Sequence, residues 1–235
     1  MSVATSHFTG VSVKNDVSVG GDAAVTGNAS VTGDVAVGGG ATVVGDATVS
    51  GTLTAKKLVL SDPVWLDLDF PIIIRTTGPN IPTLEAMDSG GNILAPQWSV
   101  NDFTVCEGQE LVHSWQQGST IYWHAHVLTN GLEAVDKYIA FEIEWVIANV
   151  NGQLSTTATI ESGDLTIPAD TPDRTMLLFS LGTSDLTGYR IGGHIWPRLK
   201  RVAATGDAPT DDPWCTMLQA HLQHDTLGSD EISSK

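Results

Sequence analysis

Residues 11–53 read VSVKND-VSVGGD-AAVTGN-ASVTGD-VAVGGG-ATVVGD-ATVSGT-L, so that one six-residue unit recurs along the whole segment. The third residue of each unit is valine, and in most units the fifth residue is glycine. A unit this short cannot bury its own apolar face, and it must therefore stack on further copies of itself. These valines, the predicted core of a stalk, are Val13, Val19, Val25, Val31, Val37, Val43 and Val49.

The repeat alternates small apolar residues at odd positions with polar residues or glycine at even ones, which is the side-chain period of a β-strand. Two architectures fit. One is a single-chain left-handed β-helix, and the other is a fibre in which three identical chains supply the three faces. About 42 residues make little more than two coils of roughly 18 residues each, which is a small core for one chain. The pattern therefore favours a trimeric stalk, with self-association as the first predicted partnership.

The net charge and the distribution of apolar residues argue against two classes of partner. The chain has 235 residues and a formal net charge of −16, whereas binding to nucleic acid of any sequence needs clustered Lys and Arg. No stretch of 18 or more apolar residues occurs, so we expect no membrane insertion. The first residues lack the charged and apolar regions of a secretory signal. We therefore expect neither a nucleic-acid partner nor a membrane partner.

The residue composition and the hydrophobic pattern change after the repeat, and this change defines the predicted domains. We predict an N-terminal tail over residues 1–10, the trimeric stalk over 11–58, and an antiparallel, jelly-roll-like β-sandwich over 59–235. Short alternating segments separated by Gly, Pro and Asp turns favour a sandwich, and the chain is predicted to be all-β. The predicted strands include 67–74, 121–127, 139–145, 155–160, 176–181, 191–199 and 216–224.

Two predicted strands contain histidine and glutamate residues, which are common metal ligands. His124 and His126 lie on one face of the first strand, and Glu142 and Glu144 lie on the polar face of the next. If the two strands paired as a hairpin, the four side chains would share one surface and could hold a divalent Zn, Mn or Fe ion. The simpler interpretation is a layer of His–Glu hydrogen bonds and charge pairs. We therefore predict no resident cofactor, with a divalent metal as the alternative.

The remaining chemistry-bearing residues form no recognisable catalytic motif, and we predict that the chain is not an enzyme. Cys106 and Cys215 stand far apart in sequence and are predicted to be buried free thiols. Four tryptophans lie outside the clearest strand cores. Their rings either stack on sugars or belong to the core and the trimer interface, and the second interpretation is the commoner one. They are Trp65, Trp98, Trp115 and Trp214.

The repeat unit VTGNAS of residues 25–30 resembles the stalks of fibre and virion proteins of tailed bacteriophages. The remainder of the chain also resembles phage structural proteins, although Val127 stands where their His-x-His strand continues with Trp. The resembling segments are GSTIYWHAH (118–126), FEIEW (141–145), IWPRL (195–199) and DTLGS (225–229).

The resemblance implies a homotrimeric structural protein of a phage virion, a head or tail fibre or a capsid decoration protein. Its implied location is the virion, after assembly in the host cytoplasm, and its implied partners are capsid or tail proteins and host surface glycans. A glycan-binding recognition module is the first alternative. A hexapeptide-type acyltransferase is the second, but such enzymes need several complete coils to form a cleft, and this repeat is short.

Overall fold

The computed structural model of the chain describes residue 28 and residues 30–32, 34–55, 58–74 and 78–228. The chain divides into two compact units, Met1–Leu53 and Thr54–Lys235. The predicted tail over residues 1–10 lies outside the described residues, as do the predicted core positions Val13, Val19 and Val25.

The described part of the repeat segment forms no strand over residues 34–55. The valines at the predicted core positions are 54% to 61% exposed, so the described residues leave more than half of each of these side chains uncovered. A single-chain coil would bury these side chains, and the described residues show no such coil. The described valines of the predicted core are Val31, Val37, Val43 and Val49.

The second unit is built from β-strands, and its described residues form no helix. Accordingly, no helix in the described part of the chain is long and apolar enough to cross a membrane. The strands are β1 (Val59–Phe70), β2 (Thr83–Ala86), β3 (Leu94–Gln97), β4 (Phe103–Val105), β5 (Gln109–Glu110), β6 (Ile121–Leu128), β7 (Lys137–Ala148), β8 (Ala158–Glu161), β9 (Leu165–Ile167), β10 (Met176–Ser184), β11 (His194–Val202) and β12 (Trp214–Thr226).

These strands form two antiparallel sheets. In the first sheet the order is β10-β6-β12-β3-β2, with β1 also paired to β12. In the second the order is β4-β11-β7-β8, with β5 on β11 and β9 on β7. Apolar side chains of both sheets, such as Trp123 and Ile143, belong to one hydrophobic core. The all-β prediction is confirmed, and the two sheets are compatible with a β-sandwich; the jelly-roll assignment stays a prediction.

The inward faces of the two central strands follow the predicted alternation. Ile121, Trp123, Ala125 and Val127 of β6 are at most 1% exposed. The matching apolar set of β7 is also buried. An alternating strand buries one face completely when it lies in the middle of a sheet that packs on a second layer. The prediction of which face of each strand is apolar is confirmed.

The hairpin on which the four-residue metal site depended does not form. β6 pairs with β10 and β12, and β7 pairs with β11, β8 and β9. The chain therefore passes from one sheet to the other between them instead of forming a hairpin. Because each strand turns its apolar face to the shared core, the polar faces of the two strands point away from each other. His124 and Glu142 consequently lie on different sheets.

The two cysteines are free and buried, as predicted. Burial raises the pKa of the Cys106 thiol to about 12 and raises the pKa of Cys215 as well. A thiol with a raised pKa is a poor nucleophile and a poor metal ligand at neutral pH. Both cysteines therefore act as small apolar core residues.

Candidate functional site

The outward face of the first sheet gathers polar side chains from three neighbouring strands. β12 lies between β6 and β1, and the three strands run antiparallel to their neighbours. Directly opposed residues in such a sheet have their side chains on the same face and close together. Two adjacent rows result, Asp67–His221–Tyr122 and Asp69–Gln219–His124.

Gln219 holds the second row together. Its side-chain oxygen Oε1 lies 2.9 Å from Nε2 of His124 and 2.6 Å from Nε2 of His126, and its Nε2 donates to Asp69. A carboxylate only accepts hydrogen bonds, so the amide group is oriented with its oxygen towards the two imidazoles. In this network both imidazole rings donate from Nε2, and the two histidines are fixed side by side.

Asp67 connects the first row to the second. Its Oδ1 lies 2.7 Å from Nε2 of His221 and 3.7 Å from Nε2 of His124. The rings of His124 and His221 meet edge to face, with centroids 4.6 Å apart. One ligand atom from each of these three residues lies within 4.8 Å of the other two. The described residues thus bring two imidazoles and one carboxylate together on this face.

Burial sets the protonation of the deeper imidazole. His124 is only 7% exposed, and its desolvation lowers its pKa, partly offset by the hydrogen bond that it donates to Gln219 and by the charge of Asp67. Removal from water disfavours the charged form of histidine. His124 is therefore neutral at neutral pH, which is the form that binds metals.

A depression of about 660 Å³ opens next to this cluster. Trp65 and Tyr122 form one wall, with ring centroids 5.1 Å apart in an edge-to-face contact, and both are 44% exposed. Polar groups on the floor and an aromatic wall are the usual ingredients of a small-molecule site. The lining residues are Trp65, Tyr122, Trp123, His124, Leu178, Ser180 and His221.

The proposed four-residue metal cluster is not assembled. Glu142 and Glu144 lie on the outer face of the second sheet, where Arg198 reaches both carboxylates at 3.8 and 2.5 Å. Lys200 also lies 3.6 Å from Glu142. The two histidines share one surface, and the two glutamates share another on the other sheet. The glutamates form charge pairs with the neighbouring strand β11 instead.

Of the four tryptophans considered for sugar stacking, only Trp65 is accessible. Trp98 and Trp115 are 0% exposed and Trp214 is 3% exposed, so none of these three rings offers a face to a ligand. The indole of Trp98 donates to the carbonyl of Cys215 at 3.2 Å. For these three tryptophans the sugar-stacking interpretation is wrong, because they are part of the core.

Sequence reasoning missed Asp67 and His221 as members of the cluster. Both alternate correctly with apolar neighbours on their strands, which is the signal that places them on an outward face. Nothing local, however, indicates that β1 and β12 are paired, since more than 140 residues separate them. Strand pairing over this distance is what brings the three ligand atoms together.

Comparison with known proteins identifies no family. No family model matches the chain, and no curated protein matches it either. Two solved structures of infectious bursal disease virus overlap with it. The structure of the Gt strain has a TM-score of 0.29 at 9% identity, over 77% of this chain and 39% of that one. The structure of the Gx strain has a TM-score of 0.26 at 11% identity, over 66% and 38%. Overlap at this level identifies neither a family nor a function.

Proposed function

We propose that the chain is a homotrimeric structural component of a phage virion, a head or tail fibre or a capsid decoration protein. The repeat segment would be the trimeric stalk. The observation that carries the proposal is the set of valines spaced six residues apart that one chain leaves exposed, such as Val37 at 55% and Val43 at 61%.

The energetics favour association of these valines. Burying a side chain of this size contributes about 1.5–3 kcal/mol, and one chain gains none of this for the valines that it leaves in water. Winding identical chains around one axis covers each valine with its copies, and every unit of the repeat adds a further layer. A cumulative gain of this kind is the physical basis of repeat architectures.

The second unit supports a modular role. It carries its own core, in which Trp98, Trp115 and Trp123 are all 0% exposed. In the proposed virion protein this unit would dock to capsid or tail proteins, or would face the host. A net charge of −16 keeps a protein displayed in many copies from aggregating. The proposal assigns the chain no enzymatic activity, no nucleic-acid partner and no membrane insertion, and it places assembly in the host cytoplasm.

The valine face can be tested by substitution. In the triple variant Val37→Asp, Val43→Asp and Val49→Asp, each buried layer would receive one carboxylate per chain, and burying unpaired charges is strongly unfavourable. We expect light scattering to show loss of the trimer, while circular dichroism of the second unit stays unchanged.

The matched control adds the same number of charges to the opposite face. Thr32, Thr42 and Thr48 occupy even positions of the repeat, the last two in the same units as Val43 and Val49, so their aspartate variants should keep the mass of the wild type. A valine variant that retains the wild-type mass would refute the stalk. Equal dissociation by both triple variants would attribute the effect to charge alone.

Glycan binding is the second candidate, and the exposed aromatic wall of Trp65 and Tyr122 beside polar groups favours it. Sugar rings pack on such aromatic faces while hydroxyl groups bind the polar floor. On an array of bacterial surface glycans, we expect Trp65→Ala to weaken any binding roughly tenfold or more.

Trp196 is a suitable control for this test because it is 41% exposed on the other sheet. Trp196→Ala should bind the same glycans as the wild type. If the wild type binds no glycan, or if Trp65→Ala binds as well as the wild type, the depression is not a glycan site.

A further inference from the structure

The outward face of the first sheet brings three potential metal-ligand atoms together, one more than a simple hydrogen-bonded pair needs. Asp67 Oδ1 faces two imidazole nitrogens at once, from His221 at 2.7 Å and from His124 at 3.7 Å. These residues come from three adjacent strands, and their backbones are held by ladder pairing on both sides of β12. The three ligand atoms are thus positioned by the sheet rather than by a mobile loop.

The spacing suits a tetrahedral ion. With metal–ligand bonds of about 2.0–2.1 Å, tetrahedral ligand atoms lie about 3.3 Å apart. The two separations from Asp67 Oδ1 fall on either side of that value, and the two imidazole nitrogens lie within 4.8 Å of each other. The side chain of Asp67 is 40% exposed, so its carboxylate has room to adjust.

The chemistry of the set favours zinc. Two imidazoles and one carboxylate with an open fourth position form a common zinc arrangement, and Zn²⁺ binds nitrogen ligands more tightly than Mn²⁺ or Fe²⁺. The cluster borders the solvent-filled depression, so a water molecule can take the fourth position. Zinc binding through Nε2 requires His124 and His221 to carry their protons on Nδ1, and Gln219 Oε1, 2.9 Å from Nε2 of His124, then becomes the alternative fourth ligand.

We propose that Asp67, His124 and His221 form a binding site for one Zn²⁺ ion per chain. The site crosslinks β1, β12 and β6 and leaves one coordination position facing the depression. His126 is a positioning residue, because it shares Gln219 with His124 and contributes no atom to the set. The proposal is independent of the trimeric stalk, since all three ligands belong to one chain.

The competing explanation is that the cluster is only a network of hydrogen bonds. In that case Asp67 accepts from His221, and Gln219 accepts from His124, with no affinity for metal. The two explanations differ in one measurable respect. A metal site binds Zn²⁺ saturably with a stoichiometry set by its ligands, whereas a hydrogen-bond network does not.

Isothermal titration calorimetry of the full chain with Zn²⁺ tests the proposal. We expect saturable binding of one ion per chain. His221→Ala and Asp67→Asn should each weaken it about 100-fold or more, because even indirect partners of metal ligands cost 10- to 100-fold when they are removed. Both positions are partly exposed, at 45% and 40% of their side chains, so that both variants retain the fold. Circular dichroism checks this.

His113→Ala is the matched control, because His113 lies 3.2 Å from Glu110 in a histidine–carboxylate pair that belongs to no group of three metal-binding residues in the described part of the chain. It should bind Zn²⁺ like the wild type. Replacing Zn²⁺ with Co²⁺ adds a spectroscopic readout, since a tetrahedral Co²⁺ site absorbs visible light strongly and His221→Ala should lose this band.

Three results would overturn the proposal. The first is the absence of saturable binding to the wild type. The second is undiminished affinity in both His221→Ala and Asp67→Asn. The third is a stoichiometry of one ion per three chains, which would assign the ion to a site shared between chains.

Discussion

Trp123→Ala should lower the free energy of unfolding of the second unit by about 3–5 kcal/mol. Trp123 is 0% exposed on β6, where its ring packs on Phe70 with centroids 5.1 Å apart. Its indole Nε1 also donates to Oγ of Ser184 at 2.8 Å. Truncation leaves a large cavity and an unpaired buried hydroxyl, and both destabilise the fold. Urea denaturation followed by circular dichroism measures the difference.

Trp123→Phe separates the two contributions. It keeps an aromatic ring against Phe70 but removes the donor to Ser184, so we expect a smaller loss of about 1–3 kcal/mol. Equal losses for the two variants would show that packing at this position matters little. A loss below about 1 kcal/mol for Trp123→Ala would contradict the described core.

Arg201→Met should be the second most damaging change. Arg201 is 1% exposed on β11, and its guanidinium pairs with Asp212 and donates to the backbone carbonyl of Trp98. Methionine preserves most of the volume, so the variant isolates the loss of the polar contacts. Because the side chain of Asp212 is 36% exposed and water can solvate it, we expect a loss of about 3 kcal/mol, the low end for a broken buried pair.

Arg198 provides the matched control on the same strand. Its side chain is 32% exposed, and its partners Glu142 and Glu144 also contact solvent. Ion pairs of this kind contribute about 1 kcal/mol or less, so Arg198→Met should destabilise the unit much less than Arg201→Met. Thermal denaturation of the two variants compares them directly, and equal shifts would contradict the distinction between the two pairs.

Local alternation was enough to predict the faces of the central strands. In 121–127 and 139–145 apolar residues recur at every second position, and Ala140 is the one further apolar residue between them in 139–145; a strand must turn one such face to the core. By the same period, Asp67 and Asp69, two residues apart, lie on one face of their strand. This level of structure depends only on near neighbours in the chain, and for that reason the sequence predicts it.

The sequence pattern could not predict which strands pair with each other. Consecutive strands are neighbours about two-thirds of the time, and the hairpin of β6 and β7 considered for the metal site followed that tendency. The tendency fails here because the connection crosses to the opposite sheet. The cluster of Asp67, His124 and His221 depends on such long-range pairing, so its members could be assigned to faces but not to one another.

The first strand shows how proline affects prediction. The sequence predicted a strand over 67–74 interrupted at Pro71, whereas β1 spans Val59–Phe70 and ends just before that residue. A proline has no N–H for the ladder, so it ends a strand or sits at an irregularity. Pro63 lies within β1 where the register with β12 shifts between Val59 and Val64. Local sequence did not show that the strand continues past this second proline.

Tryptophan burial could not be assigned from residue type. Trp65 and Trp98 are chemically identical, yet the first is 44% exposed and the second is 0% exposed. The difference arises because Trp65 lies on the outer face of β1, while Trp98 is enclosed near Phe141, with ring centroids 6.1 Å apart. Only the arrangement of the sheets decides which indole remains available to a ligand.

Light scattering after size-exclusion chromatography of the intact chain tests the proposed homotrimer most directly. The exposed valines of residues 31–49 predict a mass near three times 24.8 kDa, eluting early for that mass because a stalk is elongated. A single species at the mass of one chain would contradict the trimeric stalk and, with it, the proposed role as a fibre or decoration protein of a virion.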